Sequence, residues 1–75
     1  MTEQQRRILA ELRHGPQNQM DLAVSIMAAP FAVRGDLRAL RRDRIVRERF
    51  TRDGHVWELT NQGHAIAWQA DQLAL

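Results

Sequence analysis

The stretch IVRERFTRDGHVWELT, residues 45–60, decides the fold. Apolar and polar residues alternate on both sides of Asp53-Gly54. Asp-Gly is a strong two-residue hairpin signal, because a type I′ turn needs positive φ at both central positions. With those two residues at the turn, Arg52 pairs with His55. Phe50 then faces Trp57, and Val46 and Leu59 fall on the same side, while Arg49 faces Glu58 on the other. An aromatic pair inside and an ion pair outside suit a half-buried hairpin. Glu48 lands on the inner face opposite Leu59 and is the one awkward residue. A bulge or an edge position would relieve it.

Helices flank this hairpin. Thr60 offers an N-cap for a last helix from Asn61 to about Ala74, with Ile66, Ala70 and Leu73 as its apolar stripe. Trp68 and Leu75 make a second, narrower strip. Upstream, Thr2 with Gln5 fits a capping box for a first helix to Arg13, striped by Ile8, Leu9 and Leu12. Glu3 and Arg7 are spaced to pair on its wet side. Gly15-Pro16 ends that helix, and Asn18 caps a second from Gln19 to about Met27, with Leu22, Ala23, Ile26 and Met27 inward. Pro30 suits the first turn of a third helix, which runs to about Asp43 on Val33, Leu37 and Leu40. The fold class is α+β and mainly helical: three helices, a two-stranded hairpin over about 45–59, and a C-terminal helix.

The totals bound the function. Seventy-five residues make one small domain, expected to span 1–75, that buries only about 60% of its unfolded surface. There is no cysteine, hence no disulfide or thiolate metal site. No run of about 18 apolar residues and no signal peptide are present, so a cytoplasmic, nucleoid-associated protein is expected. Net charge is only +2, but residues 34–52 hold eight arginines against Asp36, Asp43 and Glu48. The rest of the chain is net acidic. A basic block on an acidic domain is the footprint of a polyanion site. All eleven basic residues are arginine. That fits a GC-rich genome, and it also fits the guanidinium fork that matches phosphate and guanine.

Helix 3 contains AVRGDLRALRRDR, residues 32–44. On a helical wheel Val33, Leu37 and Leu40 share the core side, and Phe31, Arg34, Gly35, Arg38 and Arg42 face away from it. A solvated helix laced by salt bridges would place acids three or four residues from its arginines. Instead Asp36 has only alanine, valine and leucine at those offsets, and Asp43 has Ala39 and Leu40 behind it. The arginines neighbour one another, at about 0.2–0.5 kcal/mol per like-charge pair. Gly35 costs roughly 1 kcal/mol against alanine in a helix interior, and the core does not demand it. An outward glycine either is tolerated on the surface or opens room for a close neighbour. Phe31 likewise has two readings: core beneath the hairpin, or contact with thymine methyls.

The order of elements resembles winged helix-turn-helix DNA-binding domains of small bacterial and phage regulators, repressors among them. The resemblance rests on MDLAVSIM, on APFAVRGDLRALRRDRIVRE and on DGHVWELTNQGHAI with its L-T-x-x-G helix start, and covers about residues 3 to 72. One departure stands out. The turn between helices 2 and 3 commonly has a glycine, and here it reads Ala28-Ala29-Pro30. The resemblance implies sequence-specific binding of double-stranded DNA, with helix 3 in the major groove and the 51–55 wing tip on backbone or minor groove. The implied contacts are Phe31, Arg34, Gly35, Arg38 and Arg42 on the helix, and Thr51, Arg52 and His55 on the wing. Gln17, Asn18 and Gln19 at the start of helix 2 are placed to donate to phosphate. Arg41, Arg44, Arg47 and Arg49 read as rim charges or intramolecular partners.

A module this small makes few contacts, so a dimer or a larger assembly is expected, with Trp68, Leu73 and Leu75 as the candidate homodimer surface. The alternative for Trp68 is packing back onto helix 1. The competing function is a winged-helix protein-interaction module that docks on an acidic partner. His14, His55 and His64 lack ligand spacing, and no nucleophile or phosphate-loop motif occurs. No enzyme activity, metal, cofactor or small-molecule ligand is expected.

Overall fold

A computed structural model describes residues 1–73 and, within the last helix, side chains only as far as Gln69. The order is α1 (Glu3–Leu12), α2 (Gln19–Ser25), α3 (Pro30–Arg42), β1 (Val46–Thr51), β2 (Gly54–Leu59) and α4 (Asn61–Leu73). The local signals of the sequence hold at α1. Thr2 Oγ1 accepts from the Gln5 amide, and Gln5 Oε1 accepts from the Thr2 amide, both at 3.1 Å. Glu3 lies 3.6 Å from Arg7. Asn18 Oδ1 caps α2 by accepting from the Asp21 amide at 2.8 Å.

The three helices close over Leu9, Leu12, Leu22, Val33, Leu37 and Leu40, all essentially without solvent contact. Val46, Trp57 and Leu59 from the hairpin cover one side of this core, and Ala67 of α4 covers another. A third strand one residue long completes the sheet. Gln17 exchanges both backbone hydrogen bonds with Trp57, at 3.1 and 2.8 Å. No described helix is long and apolar enough to cross a membrane.

Two expectations fail at the turns. First, α2 stops at Ser25, and Met27 is 91% exposed rather than inward. Pro30 favours the extended conformation seen at Ala29 (ψ 134°), so the helix cannot run on into α3. It ends in a Schellman motif: the Met27 amide donates to Val24 and the Ala28 amide to Ala23, at 3.2 and 3.0 Å. The left-handed position that glycine usually fills is held by Met27 at φ 53°. The end of α3 repeats the device with Arg44 at φ 60°. Its amide donates to Arg41 and that of Ile45 to Leu40, each at 2.9 Å.

Second, the hairpin register is shifted. The pairs are Val46 with Leu59, Arg47 with Glu58, Glu48 with Trp57, Arg49 with Val56, Phe50 with His55 and Thr51 with Gly54. Neither Arg52 nor Asp53 has positive φ, so the turn is not type I′; Gly54 alone takes it, at 129°. Each residue meets a partner two positions from the expected one, so every side chain keeps its face. Phe50, however, is left beyond the core and 78% exposed.

The hairpin base is locked to α4. Thr60 Oγ1 accepts from the Gly63 amide at 3.0 Å and donates to the Arg44 carbonyl at 2.6 Å, with the Ile45 carbonyl at 3.1 Å. Gly63 lies so close to Ile45 that a Cβ there would overlap the Ile45 carbonyl oxygen. Gly63→Ala is therefore expected to destabilise the domain by about 1–3 kcal/mol, read as a lower urea midpoint. Met27→Gly is expected to act oppositely. Relief of the left-handed methionine outweighs glycine's greater unfolded entropy, for a gain of about 0.5–1 kcal/mol in the same measurement.

Candidate nucleic-acid interface

The outward face of α3 carries Phe31, Arg34, Gly35, Arg38 and Arg42, as the wheel requires once Val33, Leu37 and Leu40 are buried. Phe31 is 87% exposed, so its reading as core beneath the hairpin is overturned. The core in that region is filled by Trp57 and Val46 instead. A Cβ at Gly35 would meet nothing within 4 Å, so the helix backbone is open to an approaching group there.

Among the described residues, Arg34, Arg38 and Arg42 have no carboxylate partner. Two acids of the basic segment are committed elsewhere. Asp36 accepts from Gln4 Nε2 at 2.6 Å and from Gln5 Nε2 at 3.2 Å, both on α1. Glu48 accepts from Arg41 Nη1 through one oxygen and lies 3.2 Å from His55 Nε2 through the other. Arg34, Arg38 and Arg41 line an open cleft of about 280 Å³ together with Gln19, Glu48, His55 and Trp57. The cleft separates α3 from the inner face of the hairpin.

The remaining predicted residues divide. Arg52 stands exposed in the hairpin turn with no ion pair among the described residues. Thr51 Oγ1 donates to the Gly54 carbonyl at 2.8 Å and closes that turn. His55 is drawn off the tip onto the inner face. It stacks on Phe50 with centroids 4.8 Å apart and tilts against Trp57 at 5.2 Å. Gln17 uses its amide on Trp57 and its side-chain Nε2 on the Glu11 carbonyl (3.0 Å), so both donors face inward. Gln19 Nε2 reaches the Pro30 carbonyl at 3.1 Å and ties the starts of α2 and α3 together. Asn18 keeps its side-chain amide group free of the cap. Trp68 is 58% exposed and stands outside the core, whereas the Leu73 side chain and Leu75 lie outside the described residues.

Sequence reasoning missed two features. Arg41, Glu48 and His55 form one cluster, for which the inward-facing Glu48 was the only signal. Met20, Val24 and Met27 are exposed apolar residues on and beyond α2; their spacing of four and three was the legible sign. Among the described residues no group of three or more His, Asp or Glu is placed to hold a metal ion.

Three helices, a hairpin following the third, and a closing helix superpose on solved structures over nearly the whole chain. ZitR of Lactococcus lactis, a single-substitution mutant, matches with a TM-score of 0.91 at 20% identity, over 96% of this chain and 51% of that one. The fold is a winged helix-turn-helix. The adhesin competence repressor AdcR of Streptococcus pyogenes gives 0.92 at 21% identity, over 99% and 56% of the two chains. A mutant of MarR from E. coli gives 0.92 at 23%, over 97% and 57%. The chain thus spans about half the length of these winged-helix proteins. No protein-family model matches it, and neither does any curated protein.

On the outer face of the wing one carboxylate is shared by two arginines. The expected Arg49–Glu58 pair is present at 3.4 Å, but Arg47, directly opposite in the register, holds the other oxygen at 2.7 Å. The Arg47 hydrogen bond, helped by the charges of Arg47 and Arg49, holds the Glu58 carboxyl below its usual range despite the opposing effect of burial. The folded state therefore binds fewer protons there than the unfolded chain. That stabilisation is complete above the ordinary carboxylate range, about pH 4.3, and is lost as pH falls through the lowered value. Glu58→Gln is expected to cost at most about 1 kcal/mol at pH 7. The deficit should shrink as urea midpoints are followed down to pH 3.

Proposed function

We propose that this domain binds double-stranded DNA sequence-specifically and acts as a transcriptional regulator. The observation that carries the reading is the outward face of α3. It presents Arg34, Arg38 and Arg42 without a carboxylate partner among the described residues, around an unobstructed Gly35. Such a face is incomplete until an anion meets it. In this reading α3 enters the major groove, where a guanidinium fork pairs with guanine O6 and N7 and Phe31 meets thymine methyls. Arg52 and Thr51 reach backbone or minor groove from the wing tip, and Asn18 donates to phosphate, whereas the side-chain amide of Gln19 is engaged on the Pro30 carbonyl. Gln17 drops out because its donors are engaged internally, and His55 contributes from the cleft rather than from the tip. Two copies, joined through α4 at Trp68 with Leu73 and Leu75, would supply the area that one module lacks. One of the structural neighbours is itself named a repressor.

A second reading has an observation of its own. Met20, Val24, Met27 and Phe31 are all exposed, and an apolar patch beside a basic helix also suits a partner protein with an acidic surface. One titration separates the two. A duplex recovered by selection from random sequence is titrated at several salt concentrations. DNA binding whose log affinity falls by about 0.9 per phosphate contact supports the first reading. No binding near 50 mM salt sinks it.

The same assay divides readers from anchors. Arg38→Ala is expected to weaken the selected duplex by about 1–3 kcal/mol and to relax base preference. Arg52→Ala is expected to weaken all duplexes about equally and to lower the salt slope by about 0.9. Identical behaviour of the two variants would defeat this division of labour.

A further inference from the structure

Arg41 and Glu48 have no part in the contacts assigned to DNA, yet with His55 they line the same cleft as Arg34 and Arg38. Glu48 is the only carboxylate in that lining, and it is half-buried opposite Trp57. One of its oxygens takes Arg41 Nη1, and the other faces His55 Nε2 at 3.2 Å. Arg41 is thus the one cleft arginine whose charge already has a partner. Its neighbours Arg34 and Arg38 have none among the described residues.

We propose that Glu48 is an internal counter-ion that withholds Arg41 from DNA phosphate, so that the basic face grips non-specific DNA less and discrimination rests on Arg34 and Arg38. The proposal builds on the DNA-binding reading. A carboxylate and a phosphate compete for the same guanidinium fork. Glu48 keeps its hold because it is anchored twice, by the hairpin register against Trp57 and by His55. Moving Arg41 to a phosphate would leave a half-buried carboxylate short of a cation, which is costly. Non-specific affinity comes almost entirely from phosphate neutralisation, whereas base reading does not. Removing one cation from the phosphate-contacting set therefore lowers the background more than the specific signal.

Glu48→Gln tests this in the full chain, with the selected duplex and a random-sequence duplex titrated between 50 and 200 mM salt. The salt slope is expected to steepen by about 0.9, so the variant loses roughly threefold more affinity than wild type across that range. At low salt it should bind random sequence more tightly, and its preference for the selected duplex should fall. Arg41→Ala, an exposed change that leaves the core intact, is expected to keep the wild-type slope and to abolish the effect of Glu48→Gln when the two are combined. An unchanged slope in Glu48→Gln overturns the proposal. So does a slope lowered by about 0.9 in Arg41→Ala, which would mean Arg41 already touches phosphate. An effect of Glu48→Gln that survives in the double variant overturns it as well, since Glu48 would then act by plain repulsion. No DNA binding by the wild-type chain would remove the functional reading and this inference together; any of the other results removes this inference alone.

Discussion

The place where the Ile45 carbonyl meets Gly63 governs the rest of the molecule. The chain leaves α3, turns at Arg44, and must start β1 and finish β2 at nearly the same point. α4 has to begin there as well. A side chain at position 63 would overlap the Ile45 carbonyl and force these starts apart. Thr60 turns the close approach into a bond network: one hydroxyl caps α4 through Gly63 and donates into the turn that launches β1. The wing is therefore fixed at its base relative to both α3 and α4. Without that fixed base, the cleft between α3 and the wing would have no defined width.

Electrostatics on α3 follow from where its acids are held rather than from how many there are. Asp36 belongs to α1, through two glutamine side chains, one of which also closes the α1 capping box. Glu48 belongs to Arg41 and His55. The basic segment thus carries acids in its sequence while its outer arginines remain without them in space. The same pattern appears on the wing's outer face in reverse. There Glu58 takes both Arg47 and Arg49, so one carboxylate offsets one of the two charges and that face stays net positive.

Features set by neighbours in the chain were legible. The Thr2–Gln5 capping box, the Asn18 cap and the Thr60 cap need only a few consecutive residues, and all three stand as read. The faces of the hairpin were legible too, because strand parity survives a shift of two in the pairing partner. The register itself was not, since Asp53-Gly54 offers a type I′ turn and the chain puts positive φ at Gly54 alone. Met27 was misread for a related reason. Helical periodicity cannot show that a residue without special backbone preference will take the left-handed position of a Schellman motif. At the candidate site, the wheel correctly separated core from outer face on α3. It had no means of placing Gln4 and Gln5 beside Asp36, or Arg41 beside Glu48, because those contacts are made only by the packed fold.

Gln17 is a single residue, but its two hydrogen bonds to Trp57 join the return strand of the wing to the segment that starts α2. Its side chain continues the link to the last turn of α1. Amides of the wing are therefore unequal in hydrogen exchange. Those near Arg52 and Asp53 open by local fraying, with little free energy, whereas the Trp57 amide is released only when the three-helix core opens with it. The wing is a lever whose fulcrum is tied by hydrogen bonds to the three-helix core, while its tip is held only by the hairpin's own bonds.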